Sequence, residues 1–366
     1  MGAGYSVPTG AAAKARRLSE AAECAPASPR GIGIGVPEEA APEAPWPSIS
    51  SALLCIDDFS VLATIGRGSF GRVKLARHSK TDSLWAVKIL KKREVVDSKA
   101  LMHVFREKAI LAELRHPFIV HMAAAFQDAS CVYIVLEFVQ GGPFDARLRD
   151  HGRVAPKAAA FYAAQVVLVL EVLHSQHYVY RDLKPANLVF DLKGYLKVCD
   201  FGLTKSVATG LCTTLCGTPD YMAPEILRKE RYGIAVDWWA LGVLLCEMLT
   251  GKTPFVADDP LATYHNILQH TIGRSLSDIQ TTPKACVRAL LTVAPTQRLG
   301  VLPNVRKHKF FKKINWKALL RRDVAPPHDP YVSSDADTSN FDEFEDSRSE
   351  SHPCDFQGAD PFADFS

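Results

Sequence analysis

Three glycines at positions 66, 68 and 71 are the feature that most restricts what this chain can fold into. They lie in IGRGSFGRV (residues 65–73), where glycine permits a tight loop and close approach of the backbone to phosphate groups. A dinucleotide-binding loop of this kind requires a helix directly after the glycines. Here RVKLAR follows and alternates like a strand, so the segment predicts a glycine-rich hairpin lying over a nucleotide. An ordinary hairpin turn is the alternative.

The hydrophobic pattern predicts two lobes. Before QGGP (residues 140–143), alternating apolar and polar residues are typical of five strands, with one helical segment at about 98–114. After QGGP, apolar residues recur at helical spacing in four segments, at about 155–176, 236–250, 260–270 and 283–292. The pattern predicts an α+β protein with a small β-rich lobe, which contains one key helix, and a larger, mainly helical lobe.

Charge is distributed unevenly along the 366 residues. Residues 59–311 carry 33 basic and 21 acidic side chains, whereas residues 312–366 carry six basic and twelve acidic ones. A basic centre with acidic ends indicates phosphate-bearing ligands or an intramolecular contact, with scattered surface charge as the alternative. Residues 1–58, which are rich in Ala, Pro, Gly and Ser, predict a disordered N-terminal extension.

Cysteine usage indicates the redox environment of the protein, and the longest apolar stretch raises the question of a membrane span. The nine cysteines show no metal-type pairing and no signal peptide precedes them, which favours reduced thiols in an intracellular protein. The stretch AAAFYAAQVVLVLEVL is interrupted by Gln165 and Glu171. It therefore predicts a buried helix and not a membrane span.

A lysine within an apolar strand is the first candidate for catalysis. WAVKIL places Lys88 among residues that favour burial, and an unpaired buried ammonium is costly. Glu107, in the following helical segment, is the natural partner, and the pair would hold the α and β phosphates of ATP. A lysine that reaches solvent from an edge strand is the alternative.

The segment VYRDLKPANLVF (residues 179–190) concentrates polar side chains between two apolar ends. Asp182 would accept or orient the proton of an attacking hydroxyl, and Lys184 would neutralise charge on the transferring phosphoryl group. Asn187 would hold a metal ion, and Asp200 in LKVCDFG is well placed for Mg²⁺. Each piece alone fits a solvated turn. Together, in this order and spacing, they predict a phosphoryl-transfer site.

With APE at residues 223–225, these motifs resemble those of the eukaryotic protein kinases over residues 59–311. TLCGTPDYMAPE and VDWWALGVLLCEML resemble the AGC group. DTSNFDEFED and FADFS in the tail are similar to the cAMP-dependent protein kinase catalytic subunits, with the cGMP-dependent kinases next. The resemblance implies a bilobal kinase fold with an AGC-type tail over 312–366, ATP and Mg²⁺ as cofactors, and protein Ser/Thr hydroxyls as acceptors. A pseudokinase scaffold without phosphotransfer is the alternative, and intact Lys88, Asp182 and Asp200 argue against it.

The resemblance also assigns further site residues. The nucleotide would contact the glycine-rich hairpin, the strand lysine and the interlobe linker: Ile65, Gly66, Arg67, Gly68, Ser69, Phe70, Gly71, Arg72, Val73, Lys88, Glu137 and Val139. Phosphorylation is implied at Thr214 and Ser366, with His103, Arg181 and Lys205 as readers of the Thr214 phosphate. Thr218 and Glu247 would contact substrate, and Asp237 would brace the catalytic loop. Phe341 and Phe344 would lie against the nucleotide pocket, and Phe362 and Phe365 would dock on the small lobe.

Two positions depart from the kinases that the chain resembles. Pro143 and Ala186 stand where relatives place carboxylates that bind substrate arginines, so only Glu247 remains of that set, with Asp145 nearby. We therefore expect weaker selection for doubly basic substrates.

Partners and localisation follow from the resemblance and from the N-terminus. No cyclic-nucleotide-binding domain is recognisable, which favours a separate regulatory subunit as partner, and no nucleic acid is expected. MGAGYS fits N-myristoylation of Gly2, which would give weak membrane association, while a flexible start is the alternative. The expected localisation is cytoplasmic, with a fraction at membranes or in the nucleus.

Overall fold

The structure, a computed structural model, describes residues 49, 54–68, 70–272, 276–277, 279–301, 305–344, 356 and 359–365. A five-stranded antiparallel sheet with the order β1-β2-β3-β5-β4 forms the small lobe. Its strands are β1 (Phe59–Gly68), β2 (Gly71–His78), β3 (Leu84–Lys91), β4 (Met122–Gln127) and β5 (Cys131–Glu137). The sheet confirms the predicted β-rich lobe.

One face of this sheet carries an apolar cluster in which Trp85, Phe126 and Tyr133 are buried. Ile49 is buried against the same cluster, and residues Ile56–Asp58 form a 3₁₀ turn that leads into β1. These apolar side chains, which precede the predicted kinase domain, help to cover the sheet. Residues 1–48 and 50–53, including Gly2, lie outside the described residues.

Two helices follow the third strand, α1 (Lys92–Asp97) and α2 (Leu101–Glu113). The second is the key helix of the small lobe, and it buries Val104, Ile110 and Leu111 against the core. These residues recur at helical spacing, so one side of the helix packs against the core and the remaining surface can carry polar residues. Glu107 is also buried on this helix and faces the interlobe cleft.

The larger lobe is mainly helical, as predicted. Its helices are α3 (Phe144–His151), α4 (Pro156–Ser175), α5 (Pro224–Leu227), α6 (Ala235–Thr250), α7 (Pro260–Leu268), α8 (Thr281–Leu290) and α9 (Trp316–Leu320). Two small antiparallel sheets pair β6 (Tyr178–Val179) with β9 (Lys205–Ser206), and β7 (Leu188–Phe190) with β8 (Leu196–Val198). These short strands fix the loops at the cleft, and the whole is the bilobal α+β fold that the sequence predicted.

Helix α4 is long and apolar enough to cross a membrane, but most of its residues are buried within the large lobe. Pro156 begins it, where the missing proline N–H leaves no hydrogen bond unmade. Helix α6 is equally buried and ends at Gly251, whose φ of 78° lies in the left-handed region that favours glycine. Helices that are apolar on all sides belong in a core, and these two form the centre of the lobe.

The end of the chain returns to the small lobe. Phe362 and Phe365 are fully buried, and Phe105 of α2 stacks against the first and meets the second edge-on. The ammonium of Lys92, which is 2% exposed, lies 2.7 Å from a carboxylate oxygen of Asp360. The docking implied by the resemblance is therefore present, and it supports the helix that carries Glu107.

We expect Phe365→Ala to release this docked segment. Truncating a fully buried phenylalanine costs about 3–5 kcal/mol, which exceeds what the remaining contacts of a short tail can offset. Amide hydrogen exchange in residues 101–113 should then become faster. Tyr331→Ala is the control, because that tail side chain is 79% exposed. Equal exchange in both variants would show that α2 does not depend on the tail.

Candidate active site

A cavity of about 660 Å³ lies between the two lobes. Its size and its mixture of apolar walls with a few converging polar groups are typical of a small-molecule site. The walls come from the glycine-rich hairpin, β3, α2, the linker after β5 and the loop around β7. The polar groups that line it are Lys88, Glu107, Asp182, Lys184, Asn187 and Asp200.

The glycine-rich segment is a hairpin between β1 and β2, as predicted, with Gly68 paired to Gly71. Most of its predicted residues line the cavity, namely Ile65, Gly66, Arg67, Gly68, Phe70 and Val73. Gly71 and Arg72 do not line it. A Cβ on Gly71 would lie 1.8 Å from the carbonyl oxygen of Ile89, so this glycine permits close approach of β3. Ser69 lies outside the described residues.

Lys88 reaches the cavity from the middle of β3. Its Nζ lies 2.6 and 2.8 Å from the two carboxylate oxygens of Glu107, and 3.4 Å from Asp200 Oδ1. Burial disfavours the charged ammonium, but the Asp200 and Glu107 carboxylates outweigh that effect and raise the pKa of Lys88. The lysine is therefore a fixed positive charge in the cavity, held by the partner that the sequence predicted.

The linker between the lobes presents Glu137 and Val139 to the cavity. The Glu137 carboxylate turns away, because its Oε1 accepts hydrogen bonds from Lys197 Nζ at 2.6 Å and from the His121 N–H at 2.8 Å. Sequence reasoning missed Lys197, since nothing local marks it as the partner of a residue sixty positions away. The side chain of Glu137 thus braces the linker, and its N–H also donates to the His121 carbonyl at 2.9 Å.

Aromatic residues of the tail complete one wall. Phe341 lines the cavity and stacks on Phe138 of the linker, with ring centroids 5.9 Å apart. Phe344, predicted for the same role, is described but does not line the cavity. The tail approaches the linker so closely here that a Cβ on Gly142 would lie 2.3 Å from the Asn340 carbonyl oxygen.

The loop before β7 is held by a buried carboxylate. Arg181 has a φ of 71°, in the left-handed region that is uncommon for residues other than glycine. Asp237, fully buried on α6, accepts hydrogen bonds from the backbone N–H groups of Tyr180 at 2.9 Å and Arg181 at 2.8 Å. These bonds fix the strained conformation, and Asp237 lies where the resemblance places the brace of the loop.

Asp182 lies at the floor of the cavity and is the meeting point of three donors. Its Oδ2 accepts from Lys184 Nζ at 2.9 Å and from Asn187 Nδ2 at 2.8 Å, and its Oδ1 accepts from the Thr218 hydroxyl at 3.1 Å. These bonds fix the orientation of the carboxylate. The structure therefore brings together Asp182, Lys184, Asn187 and Thr218, four of the predicted site residues.

Asp200 provides a second carboxylate at the cavity. The Lys88 ammonium holds the pKa of Asp200 below its usual value against the opposing effect of burial. Mg²⁺ prefers carboxylate and amide oxygens and takes only one or two protein ligands when phosphates supply others. Asp200 and Asn187 fit that donor set. Among the described residues, no group of three or more His, Cys, Asp or Glu side chains could hold a metal ion. Mg²⁺ that is bound together with phosphates does not require such a group.

One of the predicted phosphate readers, Arg181, is linked by hydrogen bonds to the segment after β9. Arg181 donates from Nε to the Leu203 carbonyl at 2.7 Å and from its NH1 nitrogen to the Tyr232 hydroxyl at 3.2 Å. That hydroxyl donates to the Thr214 carbonyl at 2.7 Å, which ties Arg181 to the predicted phosphosite. Ser366 lies outside the described residues.

The structure also places the residues that were predicted to meet substrate. Pro143 precedes α3 and lines the cavity, and Ala186 is exposed in the loop before β7. Glu247 does not line the cavity, and it accepts a hydrogen bond from the Tyr221 hydroxyl. Burial raises the pKa of Glu247, and the neighbouring Asp220 and Asp145 carboxylates add to the effect while the tyrosine opposes it. The acid retained from the predicted set is therefore already partnered.

Comparison with known proteins agrees with this geometry. The family described as "Protein kinase domain" matches residues 59–311. A cAMP-dependent protein kinase catalytic subunit of Dictyostelium discoideum is 41% identical over 312 residues, which span 84% of this chain and 48% of that protein. The human cAMP-dependent protein kinase catalytic subunit PRKX is 38% identical over 312 residues, 84% of this chain and 85% of the relative. A Caenorhabditis elegans catalytic subunit-like protein is 41% identical over 83% of this chain and 77% of its own length.

Proposed function

The chain belongs to the protein kinase family as an ATP-dependent serine/threonine kinase, and we propose that Asp182 is its catalytic base. The observation that carries this assignment is the floor of the cavity, where one carboxylate is oriented by Lys184, Asn187 and Thr218. A carboxylate so placed accepts or orients the proton of a Ser or Thr hydroxyl as that oxygen attacks the γ-phosphorus.

The other polar residues have distinct tasks. The Lys88 ammonium, fixed by Glu107, positions the non-transferred phosphates of ATP. Lys184 lies beside Asp182, where it neutralises charge that develops on the phosphoryl group. Asp200 and Asn187 would hold Mg²⁺, which when bound with ATP offsets the charge of the phosphates.

A scaffold role without phosphotransfer has no support in the site. Lys88, Glu107, Asp182, Asn187 and Asp200 are all present and face one cavity. The proposal is tested by following transfer of the γ-phosphoryl group of ATP to a library of Ser- and Thr-containing peptides, with Mg²⁺ present or chelated. Transfer that is absent from every peptide would favour the scaffold.

Regulation and location extend the proposal. The similarity to cAMP-dependent catalytic subunits supports a separate cyclic-nucleotide-binding regulatory partner, and a cytoplasmic location stays a prediction from the sequence. Myristoylation of Gly2 stays a prediction from the sequence, because Gly2 lies outside the described residues. Mass spectrometry of the N-terminal peptide and affinity capture with and without cAMP test these two points separately.

We expect Ala186→Glu to increase selection for substrate arginines. In the wild type, Pro143 and Ala186 offer no carboxylate at the cleft and Glu247 is already bonded to Tyr221. A new carboxylate at 186 should lower KM for an arginine-containing peptide roughly tenfold, with kcat little changed, because the contact binds ground and transition states alike.

Peptide kinetics with upstream arginines retained or replaced by alanine measure this effect. Ala129→Glu is the control, since Ala129 is exposed on the turn between β4 and β5 and does not line the cavity. A wild-type enzyme that already loses more than about a hundredfold in kcat/KM without arginines would show that another acid, such as Asp145, performs the recognition.

A further inference from the structure

A buried ion pair joins the two lobes beside the cavity. Lys197 belongs to β8 of the large lobe, and its Nζ lies 2.6 Å from Oε1 of Glu137, the last residue of β5 in the small lobe. Only 5% of the Lys197 side chain and 17% of the Glu137 side chain are exposed. Glu137 lines the cavity whereas Lys197 does not, so the pair lies behind the cavity wall.

Backbone hydrogen bonds attach the neighbouring segments of the chain to the large lobe. The segment before β4 is attached to β8, because the Val120 N–H donates to the Val198 carbonyl at 2.9 Å. The linker after β5 is attached to β7, because the Gly141 N–H donates to the Phe190 carbonyl at 2.8 Å. The end of β5 has no place in either attachment, and the ion pair is what connects it to β8.

Glu137 passes this connection on to the segment before β4. Its Oε1 accepts from the His121 N–H at 2.8 Å, and its own N–H donates to the His121 carbonyl at 2.9 Å. His121 directly follows Val120, which also lines the cavity. The Lys197 ammonium therefore fixes two neighbouring parts of the cavity wall.

Strand β8 leads directly into the residues that would hold Mg²⁺. Lys197 precedes Asp200 by three residues. Between them, the Cys199 N–H donates to the Asn187 carbonyl at 3.0 Å. The cation that holds the end of β5 thus belongs to the short segment that carries Asp200 and is bonded to Asn187.

The cavity has an apolar end at the linker and a polar end at Lys88 and Asp200. Ala86 pairs with Leu136 across β3 and β5, and Val189 of β7 pairs with the linker, so their side chains gather at one end. Apolar walls fit a planar base, and the charged groups fit phosphates. Because ATP engages both ends at once, its affinity depends on the distance between them.

Burial determines what an ion pair of this kind contributes. Two buried charges lose hydration that their mutual attraction offsets only in part, so the net gain in stability is small. The geometry, in contrast, is restricted, because a partner that moves away leaves a buried charge uncompensated. The Lys197–Glu137 pair is therefore better suited to fixing a position than to stabilising the fold.

We propose that Lys197 is a positioning residue that holds the end of β5 at a fixed distance from Asp200 and thereby sets the affinity for ATP. It acts through Glu137, since Lys197 does not line the cavity. The inference rests on the proposed kinase function, in which the base and the phosphates of ATP occupy the two ends of the cavity.

The test compares ATP with adenosine, which lacks the phosphates and occupies the apolar end alone. Lys197→Met should raise the Kd for ATP with Mg²⁺ roughly tenfold and the Kd for adenosine less than about twofold, as measured by calorimetry. KM for ATP should rise by the same factor with kcat changed less than about threefold, because the lost positioning affects ground and transition states alike. Lys193→Met is the matched control, since Lys193 is exposed on the turn between β7 and β8. It should change neither Kd.

A double variant separates positioning from stability. Lys197→Met leaves the Glu137 carboxylate without its cation and should lower the Tm, whereas adding Glu137→Gln removes that charge and should restore the Tm. The affinity for ATP should stay reduced in the double variant, because the lobes are still not connected at this point.

Three results would overturn the inference while leaving the kinase function intact. They are equal weakening of ATP and adenosine by Lys197→Met, no weakening of either, and recovery of ATP affinity together with the Tm in the double variant. A wild-type protein that does not bind ATP would contradict the proposed function, and this inference with it.

Discussion

Asp182→Asn is expected to abolish phosphoryl transfer, with kcat reduced by about 10²- to 10⁴-fold. The wild-type carboxylate accepts from Lys184 Nζ at 2.9 Å and from Asn187 Nδ2 at 2.8 Å. An amide at this position has nearly the same shape but does not accept the proton of the attacking hydroxyl. If the amide nitrogen took the place of Oδ2, it would also face the Lys184 and Asn187 donors and would repel or displace them.

Nucleotide binding distinguishes loss of catalysis from loss of folding. In the proposed arrangement Lys88, Glu107 and the glycine-rich hairpin would hold ATP without Asp182, so the dissociation constant for ATP should change by less than about threefold. Asp150→Asn, an exposed carboxylate on α3, is the matched control and should keep wild-type kcat. If Asp182→Asn retains more than a tenth of the wild-type kcat, Asp182 is not the base.

Local motifs made most of the cleft predictable from sequence. Lys88 stands out because a charged residue interrupts an apolar strand, and the structure places it 2.6 Å from Glu107. Asp182 and Asn187 are close in the chain, so a single loop conformation brings them together. The alternation of strands and then helices was equally local, and it predicted both lobes.

Contacts that depend on tertiary packing were not predictable in the same way. Lys197 looks like any lysine of a short strand until the fold brings its Nζ to 2.6 Å from Glu137 Oε1. Gly71 belongs to the glycine motif, but the approach of Ile89 in β3, and not a phosphate, requires it. The Tyr221 hydroxyl bonded to Glu247 likewise follows from the packing of separate segments. Sequence spacing carries no information on such pairs.

The ion pair between Glu225 and Arg298 is a buried feature whose loss should strongly reduce stability. Arg298 is fully buried and donates from its NH1 and NH2 nitrogens to the two Glu225 carboxylate oxygens at 2.7 and 3.0 Å. The same guanidinium donates to three backbone carbonyls, those of Thr292, Ala235 and Val293. It thereby anchors the APE segment to the large lobe.

Arg298→Met should lower the free energy of unfolding by about 3–5 kcal/mol, because the Glu225 carboxylate would stay buried without a partner. A matched control exists in Arg306, which also makes a bidentate contact with a glutamate, Glu171, and lies 5.1 Å from the ring of Trp316, as Arg298 lies 5.2 Å from Trp239.

The two arginines differ in burial, since the side chain of Arg306 is 45% exposed. Arg306→Met should therefore cost less than about 1 kcal/mol. Chemical denaturation of both variants measures the difference, and Glu225→Gln combined with Arg298→Met should recover part of the loss by removing the buried charge. Equal destabilisation by the two single variants would show that burial does not decide the strength of these pairs.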